Sequence, residues 1–191
     1  MSKIAISPGA TGDAVFTLQA PSTDTSRTLT LPDSSGTLLS NASTAGFPAG
    51  SVLQVVQNLN RGYAGTSKST LLITSSSTFA NILTASITTV SANSKILVIA
   101  GTAGYGATAQ RGSTRVLRDA TEIDANQYTQ YNDGNIFTQY QHNVLDSPSV
   151  AVGTAITYAF QGRSYSGTVN FAYGDSGGGP AAFVTLMEIA A

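Results

Sequence analysis

The sequence contains no cysteine and no tryptophan, and His142 is its single histidine. Without cysteine the chain can form no disulfide, no thiolate metal site and no cysteine nucleophile. Charged residues make up 10% of the 191 residues, against about 25% in typical soluble domains. The formal net charge is −1, with no basic run and no acidic tail. This balance argues against nucleic acid and against anionic membranes as partners.

Long apolar runs and helical periodicity are also missing from the sequence. No apolar run approaches the roughly 20 residues that a membrane helix needs. The N-terminus, Met1-Ser2-Lys3-Ile4-Ala5, lacks the apolar core of a signal peptide. No segment of helix length shows a sustained period of 3.6 residues, which leaves strands as the main element. The sequence therefore predicts a protein made in a cytoplasm and built from strands.

Apolar and polar residues alternate along a regular series of short segments from Ser51 onwards. In one of them Ile156, Tyr158 and Phe160 alternate with smaller residues, as in a strand with one buried face. Asn132-Asp133-Gly134-Asn135 predicts a hairpin turn. The series predicts an all-β fold of two sheets, a jelly-roll sandwich. Strands are predicted near residues 51–58, 70–74, 81–90, 95–101, 113–118, 135–145, 154–162, 166–173 and 181–190.

Two of these segments, 95–101 and 181–190, are apolar on nearly both faces. One face of each can pack on the other sheet of the same subunit, and the second face needs a cover from elsewhere. A homo-oligomer with cyclic symmetry supplies such a cover. An N-terminal segment or a loop of the same chain is the alternative. The candidate interface and core residues are Ile96, Leu97, Val98, Ile99, Val184, Leu186 and Met187.

Residues 1–40 form a separate N-terminal segment of short strand-like pieces that glycines and prolines interrupt. They are too few to enclose a core alone, so we expect either an extended tail or an anchor that orders against other chains; the clean alternation favours the anchor. Residues 41–50 carry no charge and are typical of a linker, which leaves 51–191 as the jelly-roll domain. The anchor contacts would be Phe16, Leu18, Leu29, Leu31, Leu38 and Leu39.

Part of this N-terminal segment resembles known viral sequences. Residues 12–21 and 27–39, the latter containing TLTLPDSSGTLL, resemble the N-terminal segment of many tailed-phage virion proteins, chiefly fibre and capsid-surface proteins. The resemblance implies attachment to a virus particle and does not single out a role there.

A second resemblance concerns the C-terminal domain. Residues 89–98, 145–148, 157–158 and 185–190 resemble the C-terminal knob domains of phage fibre and decoration proteins. Those knobs are similar in architecture to the trimeric jelly rolls of the tumour-necrosis-factor type. In that family the inner sheet includes the third and the last strand and lines the three-fold axis. The resemblance implies a homotrimer and brings no catalytic residue with it.

Several motifs suggest chemistry, and each has a plainer interpretation. Gly174–Pro180 reads GDSGGGP and resembles the nucleophile segment of chymotrypsin-type proteases. That family places its histidine much earlier and relies on disulfides, so a glycine-rich turn is expected instead. Gly101–Gly106 resembles a dinucleotide-binding loop, but no helix follows it; we expect a loop that leaves a strand.

The few charged side chains of the domain raise metal and ion-pair hypotheses. Asp119, Glu122 and Asp124 could gather around calcium, although a solvated turn fits their spacing better. His142 is expected to be a hydrogen-bonded structural residue of its strand. The less favoured alternative is that three copies of His142 bind an ion on a three-fold axis. The neighbouring arginines, Arg111, Arg115 and Arg118, are expected to pair between subunits with Asp119 or Glu122.

Tyrosines cluster with glutamines over residues 127–141. Aromatic rings beside planar amides suit sugar rings, and they equally suit a subunit interface, where tyrosine is enriched. The interface is the favoured interpretation. The candidate glycan contacts are Tyr128, Tyr131 and Tyr140.

These observations predict a structural protein of a tailed phage, with no enzymatic activity, cofactor or metal ion. It would assemble in the host cytoplasm and lie on the virion surface. Since the chain has no coiled-coil heptads, collagen repeat or long shaft, we favour a homotrimeric capsid decoration (cement) protein. Its N-terminal segment would bind the major capsid protein. The alternatives are a short tail or head fibre, held by tail or neck proteins and binding a host receptor or glycan, and a carbohydrate-binding module.

Overall fold

The computed structural model describes residues 47–60, 63–64, 67–68, 72–106, 109–130, 136–172 and 182–191. The chain divides into two units, Met1–Thr37 and Leu38–Ala191, and all described residues belong to the second. These residues contain strands and connections only. No helix able to cross a bilayer therefore occurs in this part of the chain.

Twelve strands are present in the described ranges, and all of their pairings are antiparallel. Their bounds are β1 Val52–Asn60, β2 Tyr63–Ala64, β3 Ser67–Lys68, β4 Leu72–Thr74, β5 Ala80–Thr88, β6 Lys95–Gly106, β7 Arg111–Arg118, β8 Thr121–Gln130, β9 Ile136–Asp146, β10 Ala155–Ser166, β11 Val169–Phe171 and β12 Ala182–Ile189.

The long strands form two sheets, here called front and back. The front sheet runs β1-β12-β6-β9, and β11 and β4 extend it beside the end of β6. The back sheet runs β5-β10-β7-β8, while β2 and β3 pair separately. Along the chain the strands pass repeatedly from one sheet to the other, as in a jelly roll, but β7 and β8 are consecutive in the back sheet and β11 and β12 in the front sheet. The predicted all-β fold of two packed antiparallel sheets is confirmed.

The core lies between the sheets and follows the alternation of the strands. On β6 the side chains of Ile96, Val98 and Ala100 are fully buried, and on β10 so are Tyr158 and Phe160. Since successive side chains of a strand point to opposite faces, these residues fill the interior while their neighbours face outward. The two inner faces thus form one apolar cluster, joined by β5, β11 and β12.

Gly162 on β10 is required by the packing of this core. A Cβ atom added there would lie 2.8 Å from the Phe171 ring and 3.0 Å from Ile82 Cδ1. We expect Gly162→Ala to lower the free energy of unfolding by about 1–3 kcal/mol, the usual cost of overpacking. Urea unfolding of the variant measures this loss, and a variant as stable as the parent would contradict the packing described here.

The strand β8 was not predicted, and the hairpin turn predicted at residues 132–135 falls outside the part of the chain that the structure describes. Residues 131–135 lie outside the described residues, but the strands on either side of them belong to different sheets. β8 pairs with β7, and β9 pairs with β6. These two strands therefore do not pair with each other. A tight turn that was not predicted, Asp119-Ala120, joins β7 to β8, and Asp119 there adopts a φ of 50°.

The structure describes one of the two glycine-rich motifs and not the other. Gly101–Gly106 was expected to be a loop, but it is the second half of β6, which pairs with β9 on one side and with β12 and β11 on the other. Paired edges, which the sequence does not reveal, hold this glycine-rich segment extended. Residues 174–180 lie outside the described residues, as do the N-terminal segment 1–40 and the first part of the linker.

Candidate functional site

The outward surface of the front sheet, here called the front face, is largely apolar. Val55, Met187, Leu97 and Leu145 are direct neighbours across four strands and form one apolar row. In the described residues of one subunit, Val55 remains 55% exposed and Leu145 51%. The apolar residues of the front face are Val52, Val55, Leu59, Leu97, Ile99, Leu145, Phe183, Met187 and Ile189.

Polar groups interrupt the front face in two places. The Gln57 side chain donates a 2.8 Å hydrogen bond to Thr185 Oγ1 on the neighbouring strand. Along β9 the outward residues Gln139, Gln141 and Asn143 form a strip of amides. A shallow depression lies between this strip and the ring of Phe183, which packs over Gly101. The front face therefore offers apolar contact along a row that crosses all four strands, and hydrogen-bonding groups mainly on β9.

The candidate interface and core residues separate into two groups by the direction of their side chains. The inward group is buried in the core of the subunit, and consists of Ile96, Val98, Val184 and Leu186. The outward group is half-buried on the front face, and consists of Leu97, Ile99 and Met187. Only the outward group lies where a second subunit could contact it.

The remaining sequence-based candidates are spread over different parts of the chain. The anchor residues Phe16, Leu18, Leu29, Leu31, Leu38 and Leu39 lie outside the described residues, as does Tyr131. Tyr128 is placed only by its backbone in β8. Tyr140 is 1% exposed and packs with its ring 5.5 Å from that of Phe171. Because it lies in the core, Tyr140 is not placed to contact a glycan.

His142 lies inside the sandwich and both of its ring nitrogens are engaged. Nε2 is 2.9 Å from Thr114 Oγ1, and Nδ1 is 2.9 Å from Asp124 Oδ2. The imidazole packs edge-on against Phe160. This hydroxyl–imidazole–carboxylate row has the order of a nucleophilic triad, but Thr114 is fully buried and nothing can reach it. The row bridges the two sheets, and His142 points away from the front face.

The carboxylates and arginines pair within the subunit, which corrects the expected pairing between subunits. Arg115 Nη1 lies 2.9 Å from Glu122 Oε2, and Arg118 Nη1 lies 2.8 Å from Asp146 Oδ1. Asp119 accepts a hydrogen bond from a backbone amide of β10. The three candidate calcium ligands therefore have separate partners, and no group of three metal-ligating side chains occurs among the described residues.

Asp146 also accepts a 2.7 Å hydrogen bond from the hydroxyl of Tyr158, which is fully buried. Burial raises the pKa of Tyr158 far above its usual value, and the hydrogen bond to the Asp146 carboxylate adds to this effect. The phenol therefore stays protonated and keeps donating to Asp146. Together with Arg118, this contact ties the end of β9 to the back sheet.

Glu188 is the one fully buried carboxylate among the described residues. It accepts hydrogen bonds from Gln54 Nε2, from Ser94 Oγ at 2.6 Å, and from the backbone amides of Val90 and Ser91 at 3.0 Å. Burial alone would raise the pKa of Glu188, but these hydrogen bonds outweigh it and hold the pKa below its ordinary value. The carboxylate thus fixes the β5–β6 connection against β1 and β12.

The outward surface of the back sheet carries a cluster that the sequence did not reveal. The guanidinium carbons of Arg115 and Arg163 lie 4.1 and 4.3 Å from the centroid of the Phe79 ring. Arg163 also lies 4.2 Å from the centroid of Tyr165. We call these four residues the arginine–aromatic cluster. The only signal in the sequence is the spacing of Gln161, Arg163 and Tyr165, which places all three on one face of β10.

Comparison with known proteins identifies no relative by sequence. No protein-family model and no curated protein matches this chain. Among solved structures the chain is similar to the enzymatically active domain of tailspike protein 4 of bacteriophage CBA120, with a TM-score of 0.30 and 16% sequence identity. The similarity covers 74% of this chain and 18% of the tailspike chain. A TM-score of 0.30 is too low for this similarity to indicate a function.

Proposed function

We propose that this protein is a structural component of a tailed-phage particle and that it forms a homotrimer through the front face. The observation that carries the self-association is the apolar row Val55–Met187–Leu97–Leu145, which crosses four strands. An apolar surface of this continuity on a subunit with few charges favours burial against protein. Moving an aliphatic side chain from full exposure to full burial contributes about 1.5–3 kcal/mol, and each side chain of this row, already half-buried, would contribute a part of that.

The position of the strands agrees with the resemblance to trimeric jelly rolls of the tumour-necrosis-factor type. That resemblance assigns the third and the last strand to the sheet that lines the three-fold axis. Here the third long strand, β6, and the last described strand, β12, are neighbours in the front sheet. Both carry apolar side chains on the front face. A closed trimer would bury this face on all three subunits at once.

Support for the virus particle comes from residues 12–39, which resemble the attachment segments of phage virion proteins. We favour a capsid decoration protein that binds the major capsid protein at the head surface through residues 1–40. A short tail or head fibre, held by tail or neck proteins, is the second candidate for the same assembly. No catalytic step is assigned, since the hydroxyl and the imidazole of the hydroxyl–imidazole–carboxylate row found in the described residues are both buried in the core.

Sedimentation velocity of the full chain at micromolar concentration tests the assembly. We expect one species with three times the mass of the 19.5 kDa chain. A well-behaved single-copy species would overturn the homotrimer and favour a cover supplied by the same chain. The number of copies per particle then separates the two locations, because a decoration protein is present in hundreds of copies and a tail fibre in a few trimers.

A further inference from the structure

The arginine–aromatic cluster on the back sheet has the chemistry of a binding site for an anion attached to an apolar ring. We propose that this cluster binds a sugar that carries a carboxylate, such as a uronic or sialic acid, with Arg163 as the group that pairs with the carboxylate. This inference goes beyond the structural role proposed above. It does not depend on the oligomeric state, because the back sheet faces away from the front face.

The two arginines of the cluster differ in their partners. Arg115 is fixed by the carboxylate of Glu122 at 2.9 Å and by Gln161 Oε1, which accepts from its Nε at 2.9 Å. Arg163, in contrast, has no carboxylate partner in the described part of the chain. Among the described residues no carboxylate compensates the positive charge of Arg163, and an anionic ligand would complement it.

The guanidinium of Arg163 is held in place by its neighbours. It stacks on the rings of Phe79 and Tyr165, and its Nη2 donates a hydrogen bond to the Tyr165 hydroxyl. Its Nε is buried and has no hydrogen-bond partner among the described residues. A carboxylate would therefore bind to the terminal Nη1 and Nη2 groups of Arg163. A guanidinium fixed in one plane loses little freedom when it pairs with a carboxylate, and such a pair can use two parallel hydrogen bonds.

Groups that suit the rest of a sugar surround this charge. The Tyr165 ring is 48% exposed and offers an apolar face. The amide of Gln161 donates to Asn81 Oδ1 at 2.8 Å, which places two amides in line with Arg115 across the back sheet. Amides of this kind bond to hydroxyl groups. An acidic peptide would use the charge and would bond to the amides through its backbone, but a sugar ring adds an apolar face that matches the exposed Tyr165 ring. We therefore favour the sugar.

Isothermal titration calorimetry of the full chain tests the site with sialyllactose and a short oligomer of galacturonic acid as probes. Lactose is the neutral control. We expect binding of at least one acidic probe, no binding of lactose, and an affinity that falls as salt is added. Arg163→Gln should weaken the binding about tenfold or more, the effect of losing a hydrogen bond to a charged group. Tyr165→Ala should weaken it through loss of the ring face.

Lys95→Gln is the charge-matched control, because it removes one exposed positive charge from the front sheet and should leave the affinity unchanged. Sedimentation of each variant reports on the assembly separately, so a failed trimer and a failed sugar site are distinguishable. The proposal is overturned if neither acidic probe binds, or if lactose binds with the same affinity as the acidic probes. Unchanged affinity in both Arg163→Gln and Tyr165→Ala also overturns it, and tighter binding of a polyglutamate peptide would assign the site to acidic peptides.

Discussion

Leu186→Asp should prevent folding, whereas Ile99→Asp should give a folded protein that no longer self-associates. The two residues lie on neighbouring strands of the same sheet, but Leu186 points into the core, where it is fully buried, and Ile99 points out of the front face. A charge buried without a partner costs more than a domain of this size can spare. On the front face the same charge opposes only the burial of that face by another subunit.

Circular dichroism and sedimentation velocity together measure this pair of variants. Ser86→Asp is the matched control, since Ser86 is an exposed strand residue on the outward surface of the back sheet. It should keep both the fold and the mass of the parent. An Ile99→Asp protein that retains the parent's mass would remove the front face from the interface. A stable, soluble Leu186→Asp protein would contradict its position in the core.

Glu188→Ala should lower the free energy of unfolding by at least about 3 kcal/mol, because several buried donors would lose their acceptor together. The donors include Ser94 Oγ and the backbone amides of Val90 and Ser91. Glu188→Gln keeps the shape of the side chain and removes the charge, so it separates the effect of the ionised carboxylate from that of packing. Urea unfolding at neutral pH measures both variants. A loss below about 1 kcal/mol in Glu188→Ala would contradict this role.

The pH dependence of stability follows from the same carboxylate. Since the folded protein holds the pKa of Glu188 below its ordinary value, ionised Glu188 adds stability at any pH above its pKa in the unfolded chain. This contribution falls as the pH drops from that value through the lower pKa of the folded state. The difference in unfolding free energy between the parent and Glu188→Gln should therefore shrink between neutral pH and about pH 3. A constant difference would show that the charge is not involved.

The sequence was sufficient to identify the first half of β6 and the whole of β12, because both segments are apolar on two faces. It could not show which face points inward. On β12 the inward set contains Glu188, a charged residue that the pattern alone would place at the surface. The burial of Glu188 depends on donors from β1 and from the connection after β5, far away in the chain. Such partners are set by the tertiary fold and are invisible in a local pattern.

Two further features escaped prediction for the same reason. The strand β8 carries two carboxylates near its start, and both have partners on other strands: Arg115 forms an ion pair with Glu122, and the His142 ring contacts Asp124. The arginine–aromatic cluster brings together Phe79, Arg115 and Arg163, which lie in three separate segments of the chain. Neither feature has a periodic signature. Alternation along a strand predicted the layers of the sandwich, and pairing between strands determined where its polar groups meet.

The place of β12 has a consequence for the synthesis of the protein. β12 lies between β1 and β6, although the ribosome makes it after every other strand described here. Until β12 has been made, β1 has no neighbour in its sheet and one edge of β6 lacks its partner over Lys95–Thr102. Nascent chains on one messenger would therefore lack a finished contact surface. The proposed association through the front face would therefore begin only after β12 has been made and has joined its two neighbours.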